Sequence, residues 1–213
     1  MNLHRCGLVV RNDKEEVMGR LEELVKEFLR LIGEDPSREG LKETPKRVAR
    51  MWLEELVSGY WEDPSKYVKV FNVEEYVRYE DLVLVKDVHV RSICEHHLLP
   101  FFGKAYLAYI PTDKVLGFSK FSRILNVYSR RLQLQERLTQ QVADFLFNTL
   151  RPKGLVLIIE AIHTCALVRG VEEPLVMTTV ASRGLLREDK KLRNEVISLL
   201  MRGRNYGWGL LGW

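Results

Sequence analysis

Leu82-Val83-Leu84-Val85-Lys86-Asp87-Val88-His89-Val90-Arg91-Ser92-Ile93 leads directly into Cys94-Glu95-His96-His97. The alternation over residues 82–93 predicts a half-buried strand, because successive side chains of an extended chain point to opposite faces. Residues 104–110 read as its antiparallel neighbour, ended by Pro111 and a turn at Thr112-Asp113-Lys114. The simplest arrangement is a hairpin that holds a thiol and two imidazoles at its bend. Such crowding is hard to attribute to packing in a chain with only three Cys and five His.

Thiolate sulfur and imidazole nitrogen are the donors zinc prefers, and a Cys with a His three residues later can face one point from a single turn. Cys94 and His97 form that pair. A second cluster, His163-Thr164-Cys165, lies in a segment over 155–168 that reads as a strand, where residues two apart share a face. If the segments meet, Cys94, His97 and Cys165 supply three ligands and leave a fourth position open to water, the pattern of a catalytic metal. His96 and His163 are then left beside the metal as candidate proton carriers. A single buried Cys is ordinarily an inert small hydrophobe, and it is the repetition of Cys with His that favours a metal. The competing arrangement is a closed structural zinc with His96 or His163 as its fourth ligand.

Outward from the clusters, apolar residues recur at helical spacing over 12–32 and stop at Gly33. Thr44-Pro45 reads as a cap followed by the imino acid tolerated at a helix start, predicting a second helix over 45–58 with Val48, Trp52 and Leu56 on its apolar face. Lys46, Arg47 and Arg50 place positive charge near its beginning. Ser119 can cap a helix with Lys120 and Arg123 in its first turn. Cations are unusual there because the helix dipole is already positive, so an anion such as phosphate is expected nearby. A helix over 134–150 carries Gln135 and Glu136, Arg151-Pro152-Lys153-Gly154 breaks it, a strand over 175–182 follows, and a last helix covers 188–201. Helices interspersed with hairpins make an α+β pattern with mainly antiparallel strands.

At 213 residues the chain suits one domain, or one domain with an appended piece. Lys plus Arg exceed Asp plus Glu, 33 against 29, which favours an anionic ligand without the dense basic tract of a nucleic-acid binder. The apolar run before Arg11 is too short for a signal peptide core, and no segment is long enough to span a membrane. Cys6 alone and two Cys within clusters argue against a disulfide framework and for a reducing cytoplasm.

Read together, several motifs closely resemble the GTP cyclohydrolase I family. They are Gly33-Glu34-Asp35-Pro36 with Arg38-Glu39-Gly40-Leu41, Thr44-Pro45-Lys46-Arg47-Val48-Ala49, Cys94-Glu95-His96-His97, and Gly117-Phe118-Ser119-Lys120 with Arg123. Gln133-Leu134-Gln135-Glu136-Arg137-Leu138-Thr139 and His163-Thr164-Cys165 with Arg169-Gly170 complete the set, in family order.

The resemblance implies a tunnelling fold (T-fold): an antiparallel sheet with helices on one face and an N-terminal helical hairpin. Residues 1–65 would form the helical region, 66–203 the catalytic domain and 204–213 a tail. It further implies a cytoplasmic homodecamer with active sites between subunits, one Zn2+ per subunit, and no nucleic-acid or membrane partner. The implied reaction takes GTP, through a zinc-activated water at purine C8, to 7,8-dihydroneopterin triphosphate and formate. By position, Cys94, His97 and Cys165 match the zinc ligands, and His96 and His163 the catalytic histidines. Ser119 matches a residue near the ribose, and Gln135 and Glu136 the guanine site. Lys120, Arg123, Arg169, Arg47 and Arg50 match the triphosphate site. One departure is Glu172-Glu173-Pro174, where many relatives carry a basic residue. A zinc-stabilised binding module and a relative acting on 7-deazaguanine nitriles are the rival readings. The nitrile enzyme would not need two paired Cys and His clusters.

Overall fold

The computed structural model describes residues 13–72 and 82–202. Helix α1, Lys14–Leu31, begins where the Asp13 side chain accepts from the Glu15 N–H at 3.0 Å and ends before Gly33, whose φ of 88° only glycine adopts freely. Helix α2, Thr44–Arg50, packs on α1 and carries Pro45 in its first turn. The chain then widens into a π-helical turn, Met51–Leu56, closed by the Val57 N–H on the Trp52 carbonyl at 2.9 Å. The buried stripe is Pro45, Ala49, Leu53 and Val57, one residue later than the expected Val48, Trp52 and Leu56, which are only half-buried. Two tight turns follow, Ser58–Tyr60 and Pro64–Tyr67. The first is clamped to the body: the Gly59 N–H donates to the Arg130 carbonyl and Arg131 Nε to the Gly59 carbonyl, both at 2.9 Å.

Five strands form the main sheet in the order β5-β2-β3-β6-β7, with β2 Val83–Cys94, β3 Pro100–Ile110, β5 Leu132–Gln133, β6 Gly154–His163 and β7 Val176–Gly184. All pairings are antiparallel except β2 with β5. The expected hairpin is present, with Cys94 closing β2 and the bend passing through His96 and His97. Strand β2 carries a bulge: Val85 faces Leu107 and Val88 faces Ala105, so three steps on one strand match two on the other. Asp87, at φ 58°, sits in the bulge and accepts from Lys104 Nζ at 2.9 Å. Two three-residue strands not foreseen from the sequence, β1 Val70–Asn72 and β4 Lys114–Leu116, pair separately.

Helices α3 Phe118–Ser129 and α4 Gln135–Leu150 bury Phe121, Ile124, Leu138, Val142 and Leu146 against one sheet face, where Leu155, Leu157 and Ile159 meet them. Each fully buried side chain of this size contributes about 1.5–3 kcal/mol of transfer free energy. The expectation of helices on one face only is corrected here. Helices α6 Leu185–Glu188 and α7 Lys190–Met201 cover part of the opposite face, packing Leu186, Val196 and Leu200 on Val156 and Ile158. The reason lies in Leu155-Val156-Leu157-Ile158-Ile159, a continuous apolar run that must be covered on both sides.

Two further expectations change. Strand β6 stops at His163, and Cys165 lies in a single helical turn, α5 Thr164–Leu167, rather than on a strand face shared with His163. The partner strand starts at Pro100, which has no N–H to extend the ladder, and its carbonyl instead accepts from Thr164 Oγ1 at 2.6 Å. Ser119 is not the cap of α3. The helix starts at Phe118 after Gly117, which is tied to the Lys69 carbonyl at 2.9 Å, and Ser119 is exposed in the first turn.

Candidate metal centre and active site

The bend after β2 is set by main-chain bonds, Leu98 N–H to the Cys94 carbonyl and Cys94 N–H to the Leu99 carbonyl, each 2.9 Å. It presents buried Cys94 and exposed His97 to half-buried Cys165 on α5, and the three ligand atoms lie within 4.8 Å of one another. A tetrahedral zinc with bonds of about 2.0–2.3 Å would need its ligand atoms roughly 3.6–3.8 Å apart, so this donor set fits the ion with minor adjustment. Burial raises the pKa of the Cys165 thiol first, and the adjacent Cys94 sulfur raises it further, while Arg169 acts in the opposite direction. A bound cation would reverse this by favouring both thiolates. Leu157, Ile159 and Ala161, the apolar wall expected along β6, are buried in the same cluster as Cys94.

His163 stands at the end of β6, its ring stacked on Phe101 with centroids 4.5 Å apart and planes 9° from parallel. Burial lowers its pKa, with the Glu136 carboxylate partly opposing. His96 is exposed, its ring edge-on to that of His97 at 6.2 Å.

Gln135 and Glu136 open α4. Glu136 is exposed, whereas Gln135 is fully buried with its side-chain amide bonded to the Ile159 and Met177 carbonyls and to His163. Lys120 and Arg123 lie on the first turns of α3, and the Arg123 guanidinium sits 6.0 Å from the ring centroid of Tyr67, whose hydroxyl donates to Glu62 at 2.7 Å. Arg169 follows α5 directly and is exposed. Arg47 and Arg50 are on α2, which packs on α1 and the π-helical turn, and Arg50 pairs with Glu54 at 2.8 Å. The fold thus gathers Cys94, His97, Cys165, His163, Gln135, Glu136 and Arg169, and leaves Arg47 and Arg50 on another part of the chain.

Sequence reasoning gave no role to Arg137. Its guanidinium binds the Glu95 carboxylate, the Leu132 carbonyl at 3.0 Å and Gln133 Oε1 at 3.0 Å. The Glu95 N–H in turn donates to the Gln133 carbonyl at 3.1 Å. These bonds fasten the ligand-bearing bend to the start of α4. Glu95, enclosed between Cys94 and His96, was the available signal.

A family model described as GTP cyclohydrolase I matches residues 21–201. "GTP cyclohydrolase 1" of Chlorobaculum tepidum is 47% identical over 200 residues, covering 93% of this chain and 88% of that protein. The protein of the same name from Desulforamulus reducens is 48% identical over 186 residues, covering 86% of this chain and 97% of the relative. That of Carboxydothermus hydrogenoformans is 48% identical over 190 residues, covering 88% and 95%.

Proposed function

The chain belongs to the GTP cyclohydrolase I family and is a GTP cyclohydrolase, and from that premise we propose how its residues divide the work. The observation that carries the proposal is the convergence of Cys94, His97 and Cys165 within 4.8 Å, from segments some seventy positions apart in the sequence. These three residues hold one Zn2+ per subunit. When bound, the ion would supply a Lewis acid with a position for water, weaker than the zinc sites that bring water's pKa toward about 7 because two thiolates donate charge to it.

The remaining work falls to the chain. Glu136 accepts both the ring N–H and the exocyclic amino group of guanine, two adjacent donors that adenine does not offer. Gln135 belongs to this end of the site. Lys120, Arg123 and Arg169 bind the triphosphate, and Ser119 lies near the ribose. His163 and His96 carry protons: one to the purine nitrogen as water adds at C8, the other during opening of the ribose. Ring opening, loss of formate, rearrangement of the sugar and reclosure yield 7,8-dihydroneopterin triphosphate.

The quaternary proposal is a T-fold homodecamer with active sites between subunits. Arg47 and Arg50, on α2 and not on the elements that carry the metal ligands, then reach the triphosphate of a neighbouring copy. Leu24, Phe28 and Leu31 on α1 and Ile32 just after it, all more than half exposed, offer packing surface for such neighbours. The division into residues 1–65, 66–203 and 204–213 belongs to the same proposal, and the tail lies outside the described residues. No described helix is long and apolar enough to cross a membrane. A cytoplasmic location accords with thiols used as metal ligands.

Incubating the purified protein with GTP, with and without a chelator, while following formate and pterin fluorescence tests the assignment. Turnover abolished by chelation and restored by Zn2+ is expected. Full turnover in metal-free protein would overturn the ligand set.

A further inference from the structure

Two contacts fix the His163 ring. Phe101 lies flat beneath it, so the plane of the imidazole is set by stacking. Within that plane, Nε2 is 3.0 Å from Oε1 of Gln135.

The orientation of the Gln135 amide follows from its other partners. Its nitrogen lies 3.0 Å from the Ile159 carbonyl oxygen and 2.9 Å from that of Met177. Carbonyl oxygens only accept, so the atom between them must be the donating NH2 group, and the amide oxygen must face His163. The reverse orientation would press three acceptors together in a fully buried place. The hydroxyls beyond agree. Thr139 Oγ1 donates to the Gln135 main-chain carbonyl at 2.7 Å and so accepts from Thr179 Oγ1, also at 2.7 Å. Thr179 Oγ1 is left to accept from Gln135 Nε2 at 3.2 Å.

An amide oxygen carries no hydrogen, so the hydrogen of the His163 contact belongs to the imidazole Nε2. We propose that Gln135 acts as a positioning residue, not as a contact to the base: it holds a hydrogen of His163 on Nε2, leaving Nδ1 as the nitrogen that exchanges protons with substrate. This rests on the reading of His163 as a proton carrier. It divides the Gln135-Glu136 pair into a residue facing inward to the histidine and one facing outward to guanine. Gln135 is fully buried, and its amide nitrogen and oxygen each have partners within the protein.

The test combines kinetics with spectroscopy on the zinc-loaded full chain. Solid-state 15N NMR of histidine-labelled protein, with the His163 signals assigned by their loss in His163→Ala, reads the tautomer directly and needs no Gln135 variant to fold. A protonated Nε2 with a bare Nδ1 supports the proposal, and a protonated Nδ1 with a bare Nε2 overturns it. Gln135→Met is expected to lower kcat about tenfold or more with KM little changed, and to cost almost nothing further when added to His163→Ala. It should also leave unchanged the preference for GTP over inosine triphosphate, which lacks the exocyclic amino group. A raised KM, losses that multiply with those of His163→Ala, or a lost preference would return Gln135 to the base. If His163→Ala alone turned over GTP at the parent rate, the proton-carrier reading would itself fall, whatever the tautomer.

Discussion

Substituting Gly103→Ala tests whether the β3–β6 seam holds the metal ligands in place. Gly103 faces Ala161 across this seam, two rungs from the Phe101–His163 pair. A methyl group on Gly103 would come within 2.6 Å of the Ala161 Cα and closer still to the Glu160 carbonyl oxygen. Carbon packs at about 3.2 Å or more from oxygen and about 3.5–4.0 Å from carbon, so the two strands would have to part by about 1–1.5 Å. Stretched ladder bonds and displaced core together cost about 3 kcal/mol. The same displacement moves His163 and α5 relative to the Cys94 bend, and misplacement of about 1 Å typically costs about a hundredfold in rate. Thermal unfolding, zinc content and kcat/KM from formate release should therefore fall together. A variant with the parent melting temperature and kcat/KM within about threefold would refute the idea that this seam is rigid.

Three other outcomes follow from the same geometry. Glu95→Gln keeps the shape of the bend but removes the charge facing Arg137. With the two side chains 30% and 34% exposed, the pair contributes about 1–2 kcal/mol, and a competing chromophoric chelator should reveal roughly tenfold weaker zinc binding. Unchanged affinity would mean that the main-chain bonds of the bend suffice. Glu136→Gln presents a donor to the donors of guanine and should lower kcat/KM by about a hundredfold at full zinc occupancy, so parent-like kinetics would remove Glu136 from the base site. Tyr109 is buried and its pKa is raised by burial, although the Leu116 N–H donated to its oxygen at 3.1 Å partly opposes this. The unfolded chain therefore loses this proton first, from about pH 10 upward, and stability falls as pH rises further. Tyr109→Phe should forfeit about 1 kcal/mol near neutrality yet decline less steeply in alkali, and parallel denaturation curves across that range would count against it.

Legibility differed from residue to residue. Cys94 and His97 could be paired from their spacing because a single bend fixes the distance between them. Cys165 does come to lie beside them, but not from the strand face expected: a two-residue strand period was expected, and a helical turn after His163 delivers the thiol instead. The determinant, Pro100 on the partner strand, is remote in sequence. Gln135 shows the same limit, since its partners Ile159, Met177 and His163 converge only after β6 and β7 pair. The helices over residues 14–31 and 135–150 were readable from their apolar period. The three-residue strands β1 and β4 are too short to carry one.

The bulge in β2 acts as a phase shifter. Before it the odd-numbered Val83 and Val85 lean toward the main core, and after it the even-numbered Val88, Val90 and Cys94 do so. One surplus residue therefore decides that the thiol of Cys94, and not the side chain of Ile93, reaches the side on which Cys165 waits. A regular ladder that kept Asp87 without the bulge would leave both halves of the strand correctly patterned and mutually out of phase, so that saving the upper half of the core would mean turning the metal ligand outward.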